Sequence, residues 1–235
     1  MRFSLSVLFI CFFFLSFSQM SNISLKNPSF EDTPRRGGVT NAGSIVGKDK
    51  IKGWFDCGAI HSPRESAPDI HPGDSWGVGK EPYEGETYLG LVVRDNDTWE
   101  SVSQKLASKD GTMTPMVSGN CYRLSMAVAR AESYVSGSRL RMMQKGDIAQ
   151  IYNYTTPTVI RVWGGDSHCN IKELLATSNP VINSEWETIE LDFTPKEDFD
   201  FITIQAYYKV PVLFPYNGHV LVDNLSDIVQ VTCKE

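Results

Sequence analysis

The fold of this chain is decided by the stretch CYRLSMAVAR, residues Cys121–Arg130. Apolar or aromatic side chains occupy every second position from Tyr122 to Val128. Successive side chains of a β-strand point to opposite faces, so this period of two predicts a strand with one face in a hydrophobic core. Other segments also have a composition and pattern typical of strands; they are Asn22–Phe30, Gly53–Cys57, Tyr88–Arg94, Trp99–Leu106, Thr158–Trp163, Glu187–Phe193, Phe201–Tyr208 and His219–Val231. The sequence therefore predicts an all-β protein, a jelly-roll β-sandwich of eight or nine strands.

One short segment departs from the strand pattern. Asn170 stands three residues before Glu173, which is the spacing of a helix N-cap and its capping-box partner. We therefore expect one short helix over Asn170–Thr177, inside an insertion between two strands.

The two ends of the chain carry matching acidic segments, NPSFED at Asn27–Asp32 and VLVDNL at Val220–Leu225. An apolar strand that ends in carboxylates, at the start and again at the finish, predicts that the first and last strands are neighbours. Calcium takes six to eight oxygen ligands, and two carboxylates from adjacent strands plus loop carbonyls would supply them. We expect a structural calcium at Glu31 and Asp223. The alternative is a pair of solvated strand ends.

The first 18 residues have the features of a secretory signal peptide. Arg2 precedes an apolar run from Leu5 to Phe17, and the small residues Ser16 and Ser18 precede the predicted cleavage point. The run is shorter than the ~20 residues that span a bilayer as a helix. We therefore expect an exported protein without a retained membrane span, located outside the cell, at its surface or in the periplasm. Residues 19–235 would form one domain.

Charge and cysteine content narrow the class further. The net charge of −6 disfavours nucleic acid as a partner, because phosphate binding needs a basic face. Outside the predicted signal peptide the cysteines are Cys57, Cys121, Cys169 and Cys233. An even number in an exported chain predicts two disulfides, for which three connectivities are possible. If the strands at Cys121–Arg130 and Thr158–Trp163 are antiparallel neighbours, Cys121 can reach Cys169, with Cys57 as the competing partner.

Four short motifs resemble, in this order, the CenC-type carbohydrate-binding modules. They are NPSFE at Asn27–Glu31, the pair Gly53–Trp54, the segment GNCYRLS at Gly119–Ser125 and VDNL at Val222–Leu225. Together they span nearly the whole chain after the predicted signal peptide. The resemblance implies a galactose-binding-like jelly roll that binds carbohydrate. It also implies a structural calcium at the positions that match Glu31 and Asp223.

Two loops rich in aromatic residues form the predicted binding surface. Sugars bind to aromatic rings that stack on their C–H faces and to polar side chains that take their hydroxyls. The segments Trp163–Cys169 and Tyr207–Gly218 supply both kinds of group, and two further rings are the next candidates. The predicted carbohydrate-binding residues are Trp163, Asp166, His168, Tyr208, Tyr216, Trp76 and Tyr134. For any single ring, packing in the core is the alternative.

Signals for catalysis are weak. The tripeptides Gly73–Ser75 and Gly165–Ser167 resemble the Gly-Asp-Ser start of one esterase class, but the α/β pattern and the later Asp-x-x-His of that class are missing. A glycosidase needs two facing carboxylates, which a count of acidic residues cannot identify. The sequence favours a non-catalytic protein that binds a polysaccharide or cell-surface glycan. The alternatives are a surface adhesion or assembly protein that binds a protein partner, and a polysaccharide hydrolase or lyase.

Overall fold

A computed structural model describes residues 22–31, 51–58, 68–72, 75–137, 151–209, 211 and 213–234. The predicted signal peptide, residues 1–18, lies outside the described residues. Within these ranges, no helix has the length and apolar character needed to cross a bilayer.

The described residues form 15 β-strands and one 3-10 turn at Ser75–Gly77. The strands are β1 (Asn22–Ile23), β2 (Phe55–Asp56), β3 (Asp69–His71), β4 (Tyr88–Arg94), β5 (Thr98–Trp99), β6 (Ser101–Lys105), β7 (Cys121–Arg130), β8 (Val135–Gly137), β9 (Ile151–Asn153), β10 (Thr158–Gly165), β11 (Glu173–Thr177), β12 (Glu187–Phe193), β13 (Phe201–Tyr208), β14 (Gly218–Asp223) and β15 (Ile228–Val231). Eight of them contain five residues or more. The prediction of an all-β fold is confirmed.

Two antiparallel sheets face each other. The eight-stranded sheet has the order β1-β15-β7-β14-β4-β3, with β12 on the other side of β7 and β5 beside β4. The five-stranded sheet has the order β11-β10-β13-β6-β2, and β8 and β9 form a separate hairpin. The prominent strand of the sequence, β7, pairs with β12 along one edge and with β14 and β15 along the other, so both of its edges are covered.

The main core lies between the two sheets. Every second residue of the long strands faces it, for example Leu124, Met126 and Val128 from β7 and Ile202 and Ile204 from β13. These side chains are at most 1% exposed. Full burial of one such side chain contributes about 1.5–3 kcal/mol relative to leaving it in water. The alternation seen in the sequence therefore fixes which face of each strand points inward and which face is left for other uses.

The predicted helix at Asn170–Thr177 is wrong. Residues Glu173–Thr177 form β11, which pairs with β10 from Arg161↔Thr177 to Gly164↔Glu173. The free edge of β10 offers a row of backbone donors and acceptors, and pairing with it satisfies more groups than one helical turn would. The side chain of Asn170 does not cap a helix. It accepts a hydrogen bond from the backbone N–H of Asp166 at 3.3 Å.

The first strand is shorter than the sequence predicts. β1 ends at Ile23, and the segment from Asn27 to Phe30 is a turn in which both of these residues have positive φ. The side-chain amide of Asn27 donates to the carbonyl of Glu31 at 2.7 Å, a local bond that stabilises the turn. β1 pairs with β15, so the first and last strands are neighbours. The two acidic segments themselves do not pair as strands, because β14 pairs with β4 and β7, and a single backbone bond joins the N–H of Leu225 to the carbonyl of Pro28 at 3.1 Å.

The two predicted disulfides are present, but Cys121 does not pair with Cys169. The bonds join Cys57 to Cys169 and Cys121 to Cys233. Strand β7, which begins at Cys121, lies in the eight-stranded sheet, whereas the strand before Cys169 lies in the five-stranded sheet. The two strands are therefore not neighbours, and Cys57, at the end of β2, is the partner within reach. Disulfides are typical of exported proteins, and export itself stays a prediction.

Candidate functional site

The outer face of the five-stranded sheet collects polar and aromatic side chains. One cross-strand row contains Arg161, Gln205 and Ser101, and the next contains Trp163, Thr203 and Ser103. Tyr207 continues the same face along β13. The residues between them in each strand point into the core. We call these seven residues the polar sheet face: Ser101, Ser103, Arg161, Trp163, Thr203, Gln205 and Tyr207.

The floor of the polar sheet face is made of small polar side chains. Ser101, Ser103, Thr203 and Gln205 are each at most 1% exposed. The hydroxyl of Ser103 donates to the carbonyl of Ile202 at 3.0 Å. Side chains on the outer face of an antiparallel sheet are commonly solvated. A buried row of hydroxyl and amide groups is therefore a special feature of this face.

Trp163 is fixed in place by the floor. Its indole N–H donates to the side-chain carbonyl of Gln205 at 3.0 Å, and the residue is half-buried. One hydrogen bond at the edge of the ring sets the plane of the whole indole. A ring held in this way loses little conformational freedom when a ligand stacks on it.

Arg161 and two aromatic rings form the other end of the face. The guanidinium carbon of Arg161 lies 3.5 Å from the centre of the Tyr207 ring, which is a cation–π contact. The Tyr207 ring meets Trp99 edge-on, with 5.1 Å between ring centres. The Nε of Arg161 and the indole nitrogen of Trp99 are buried and have no hydrogen-bond partner among the described residues. Arg161 and Trp99 therefore each provide a hydrogen-bond donor on this face.

Asp166 and His168 lie at the rim near Trp163. The imidazole of His168 stacks on Phe55 and meets Phe201 edge-on, with 4.8 Å between ring centres in both pairs. Burial lowers the pKa of His168, and the charge of Lys105 adds to this effect. Asp166 is exposed and forms an ion pair with Lys172 at 3.0 Å. The three predicted residues of the first loop thus lie at one end of the five-stranded sheet, where each contacts different neighbours.

The second predicted loop lies at the opposite end of the sheet. In the β10–β13 pairing Trp163 is opposite Thr203, whereas Tyr208 is opposite Thr158. Five residues of strand separate the two ends, which is roughly 17 Å. Tyr208 is 1% exposed and its ring packs in the core, so it offers no face to a ligand. Tyr216 is partly buried, and its hydroxyl donates to the carbonyl of Pro157 at 2.8 Å.

Trp76 and Tyr134 pack against the other sheet. They pack on each other with 5.8 Å between ring centres, in a hydrophobic cluster on the outer face of the eight-stranded sheet. Tyr134 is 1% exposed, and its hydroxyl donates to Asp69 at 2.7 Å. The structure therefore separates the seven predicted residues into three places.

Glu31 and Asp223 contact the same turn. One oxygen of Asp223 accepts the backbone N–H groups of Tyr83 and Glu84, and one oxygen of Glu31 accepts those of Glu86 and Thr87. Gly85 stands at the centre of this turn with a φ of 66°, and a Cβ there would lie 2.0 Å from Glu31. Burial raises the pKa of Asp223 to about 6, and repulsion from Glu31 adds to the shift.

Sequence reasoning missed most of the polar sheet face. Arg161, Thr203, Gln205 and Tyr207 lie in segments that the sequence correctly predicts as strands. The sequence pattern does not mark their outward side chains as one binding surface. The period of two places Arg161 and Trp163 on one face of β10, and from this pattern the two residues can be predicted to share a surface. The pairing of β10 with β13 and β6 could not be derived from that pattern alone.

Comparisons with known proteins give similarities of fold. No protein-family model and no curated protein sequence matches the chain. Similar solved structures include the Stig cyclase Fisc from Fischerella sp. TAU, with 13% identity over 92% of this chain and 100% of that chain and a TM-score of 0.49. The CBM22-1 xylan-binding domain of Paenibacillus barcinonensis Xyn10C has 13% identity over 90% and 96%, with a TM-score of 0.42. A CBM4 structure has 13% identity over 88% and 100%, with a TM-score of 0.43. These structures include both binding modules and an enzyme, and at these TM-scores they transfer no function.

Proposed function

We propose that this protein is an exported, non-catalytic carbohydrate-binding protein that holds a polysaccharide or cell-surface glycan on the polar sheet face. The observation that carries the proposal is the bond from Trp163 to Gln205, which joins a fixed aromatic ring to a row of hydroxyl and amide groups. A sugar has an apolar C–H face and a rim of hydroxyls, so it needs both kinds of group side by side. The half-buried rings would stack on the sugar. Arg161 would donate to its oxygens.

The composition of the face supports binding over hydrolysis. Glycoside hydrolysis uses two carboxyl groups about 5 to 10 Å apart. The seven residues of the polar sheet face carry hydroxyl, amide, guanidinium and aromatic groups, and none of them is a carboxylate. The described part of this face thus has the groups for recognition and lacks those for acid–base cleavage.

A glycan array tests the proposal. We expect wild-type protein to bind at least one neutral or acidic polysaccharide. Trp163→Ala should weaken that binding about ten- to a hundredfold, because losing a stacked ring costs on the order of 1–3 kcal/mol. Trp186→Ala is the matched control, since this half-buried tryptophan lies on the outer face of the other sheet. Melting curves check that both variants fold.

The glycan array and the melting curves together distinguish three results. Loss of binding in Trp163→Ala alone, with melting temperatures within a few degrees of wild type, supports the polar sheet face. Equal binding by folded wild-type protein and folded Trp163→Ala would exclude it. A wild-type protein that binds no glycan on the array would contradict the carbohydrate function itself.

We also propose that Glu31 and Asp223 hold a structural calcium. Their carboxylates lie on one turn. Burial raises the pKa of Asp223 and repulsion from Glu31 adds to the shift, and a cation between the two carboxylates would remove that repulsion. Backbone N–H groups already bond to both oxygens of Asp223, since Asn224 donates to the second one at 2.7 Å, and to one oxygen of Glu31. The two side chains fit a calcium ion only if carbonyls or water complete the ligand set. Calcium here would stabilise the fold and take no part in sugar chemistry.

A second candidate function is adhesion to a protein partner, and a specific apolar surface favours it. Leu213 and Phe214 are 89% and 79% exposed. With Pro157, Pro180 and Ile182 they line a cleft of about 530 Å³. Exposed apolar clefts of this kind are typical of protein contacts. Phe214→Ser should leave glycan binding unchanged if the sugar lies on the polar sheet face, and loss of glycan binding in this variant would place the sugar in the cleft.

A further inference from the structure

Asp69, His71 and His219 form a buried cluster on the outer face of the eight-stranded sheet. Strands β3 and β14 lie on either side of β4 and bring the three side chains together above Gly90. One potential ligand atom from each residue lies within 4.8 Å of the other two. All three residues are at most 2% exposed.

Gly90 makes the room for both imidazoles. A Cβ at this position would lie 2.5 Å from Nε2 of His219 and 2.9 Å from Nε2 of His71. The two nitrogens therefore approach the same point above the sheet. Any larger residue at position 90 would fill the space on which the cluster converges.

The hydrogen bonding of the cluster is incomplete. Both ring nitrogens of His71 and both of His219 have no hydrogen-bond partner among the described residues. Buried imidazoles are normally hydrogen-bonded, because an unpaired buried polar atom costs about 1–3 kcal/mol. Asp69 has one oxygen, Oδ2, that accepts from the Tyr134 hydroxyl at 2.7 Å. The four imidazole nitrogens are thus available for another kind of bond.

The cluster combines one carboxylate with two imidazoles, which are typical ligand groups of divalent transition metals. Burial lowers the pKa of His71 to about 4 and that of His219 well below its usual value, so both rings are neutral near pH 7. Burial raises the pKa of Asp69 to about 6, with Tyr134 and Arg94 acting in the opposite direction. The positive charge of Arg94 is compensated by Glu100, which is paired with it at 2.6 Å.

We propose that Asp69, His71 and His219 bind one zinc-class transition-metal ion, through one carboxylate oxygen and two imidazole nitrogens. This donor set suits zinc, whose ligands lie about 2.0–2.1 Å away in a tetrahedral arrangement and therefore roughly 3.3 Å apart. The side chains would draw in by at most about 1.5 Å, within reach of small χ rotations. Tyr134 is the positioning residue, because carboxylate ligands are commonly held by a second hydrogen bond. The ion would tether β3, at the sheet edge, to β14 across β4.

The test measures metal in protein produced from the full-length chain without a polyhistidine tag. The protein is unfolded, stripped of metal with a chelator and refolded with zinc or cobalt. We then expect elemental mass spectrometry to find about one bound ion per chain. Cobalt should give the visible absorption bands of a tetrahedral site. Asp69→Asn keeps the shape of the side chain and the acceptor for Tyr134, so it removes the charge of the ligand with the smallest structural change.

Three variants distinguish a metal site from a structural cluster. Asp69→Asn and His219→Gln should lose the ion. Tyr134→Phe should keep the cobalt spectrum but weaken metal binding about ten- to a hundredfold. His168→Ala, which removes a histidine outside the cluster, should bind like wild type. If His219→Gln fails to fold, Asp69→Asn decides the question. A wild-type protein that retains no zinc or cobalt, or a folded Asp69→Asn that binds as tightly as wild type, would overturn the proposal.

Discussion

The outer faces of the two sheets bury polar side chains in different ways. On the five-stranded sheet the buried hydroxyl and amide groups lie beside the half-buried rings of Trp163 and Tyr207. On the eight-stranded sheet a second hydrophobic cluster, which includes Val78, Tyr134 and Tyr154, packs over the face. One face therefore keeps partly exposed rings that a large ligand can reach. The other face is covered by this cluster above its histidines, and its margin has a cleft of about 520 Å³ lined by Val78, Leu221 and the half-buried Trp186.

This difference shows that polar side chains on the outer side of a sheet can serve either ligand binding or internal packing. On the five-stranded sheet a ligand can reach the half-buried side chains of Arg161, Trp163 and Tyr207, and the buried amide of Gln205 beneath them positions Trp163. Where the face is covered, each polar group must be satisfied inside the protein, because burial without a partner is expensive. We therefore expect substitutions on the eight-stranded face to affect stability and those on the five-stranded face to affect binding.

The largest effect is expected for the buried ion pair on the eight-stranded face. Glu100→Ala removes the carboxylate that pairs with Arg94 at 2.6 Å, and removing one side of a buried pair typically costs about 3–5 kcal/mol. Urea unfolding measures the loss. Glu185→Ala breaks an exposed pair with Lys80 and serves as control, with little change expected. Equal losses in the two variants would show that the Arg94 site is not closed to water.

A smaller effect is expected for the glycine beneath the histidines. Gly90→Ala forces a Cβ toward Nε2 of His219, and overpacking of this kind costs about 1–3 kcal/mol. On the other face Ser103→Ala removes one hydrogen bond, worth about 1 kcal/mol, and adds no atom. Thermal unfolding of the two variants compares the faces directly. A Gly90→Ala protein as stable as wild type would mean that the imidazoles can move apart freely.

The pH dependence at Asp223 should shift the melting temperature by up to about ten degrees between pH 4 and pH 6. Burial, with repulsion from Glu31, raises the pKa of Asp223 from 3.8 to about 6 in the folded protein. The folded state then binds this proton more tightly than the unfolded chain, so stability falls as the pH rises from about 4 to about 6. Each unit of pKa difference corresponds to about 1.4 kcal/mol, or a few degrees for a chain of this size.

Asp223→Asn isolates that contribution. In chelator, the melting temperature of wild type minus that of the variant should decrease between pH 4 and 6. Added calcium should reduce or reverse the decrease, because calcium binds the ionised carboxylate. If the difference in melting temperature between wild type and Asp223→Asn does not change with pH, the shifted pKa is contradicted. If the melting curves with calcium and with chelator are identical, the calcium site is excluded.

The smallest effect is expected at the rim of the polar sheet face. His168→Ala removes an exposed imidazole that contacts Phe55 and Phe201, and such ring contacts contribute about 0.5–1.5 kcal/mol at most. We expect a melting temperature within a few degrees of wild type and weaker retention on the glycan that wild type binds. Unchanged retention would place His168 outside the binding surface.

The sequence by itself determined the fold class and the direction of most side chains. The period of two in segments such as Cys121–Arg130 fixes which residues of a strand share a face, because it depends only on backbone geometry. The same local chemistry predicted the two disulfides and the closeness of the chain ends. It failed at Asn170–Thr177, where the edge of β10 offered more backbone hydrogen bonds than a helix, and a local pattern carries no information about a distant edge.

The tertiary structure alone decided which strands are neighbours, and the candidate sites depend on that. Trp163 and Gln205 are 42 residues apart and meet because β10 pairs with β13. His71 and His219 lie on strands that never pair directly and meet only because β4 stands between them. Periodicity sets the face of a residue, but the partner across a sheet depends on the packing of the whole chain. For this reason the rings of Tyr134 and Tyr208 were predicted as binding residues, and the structure places both in hydrophobic clusters.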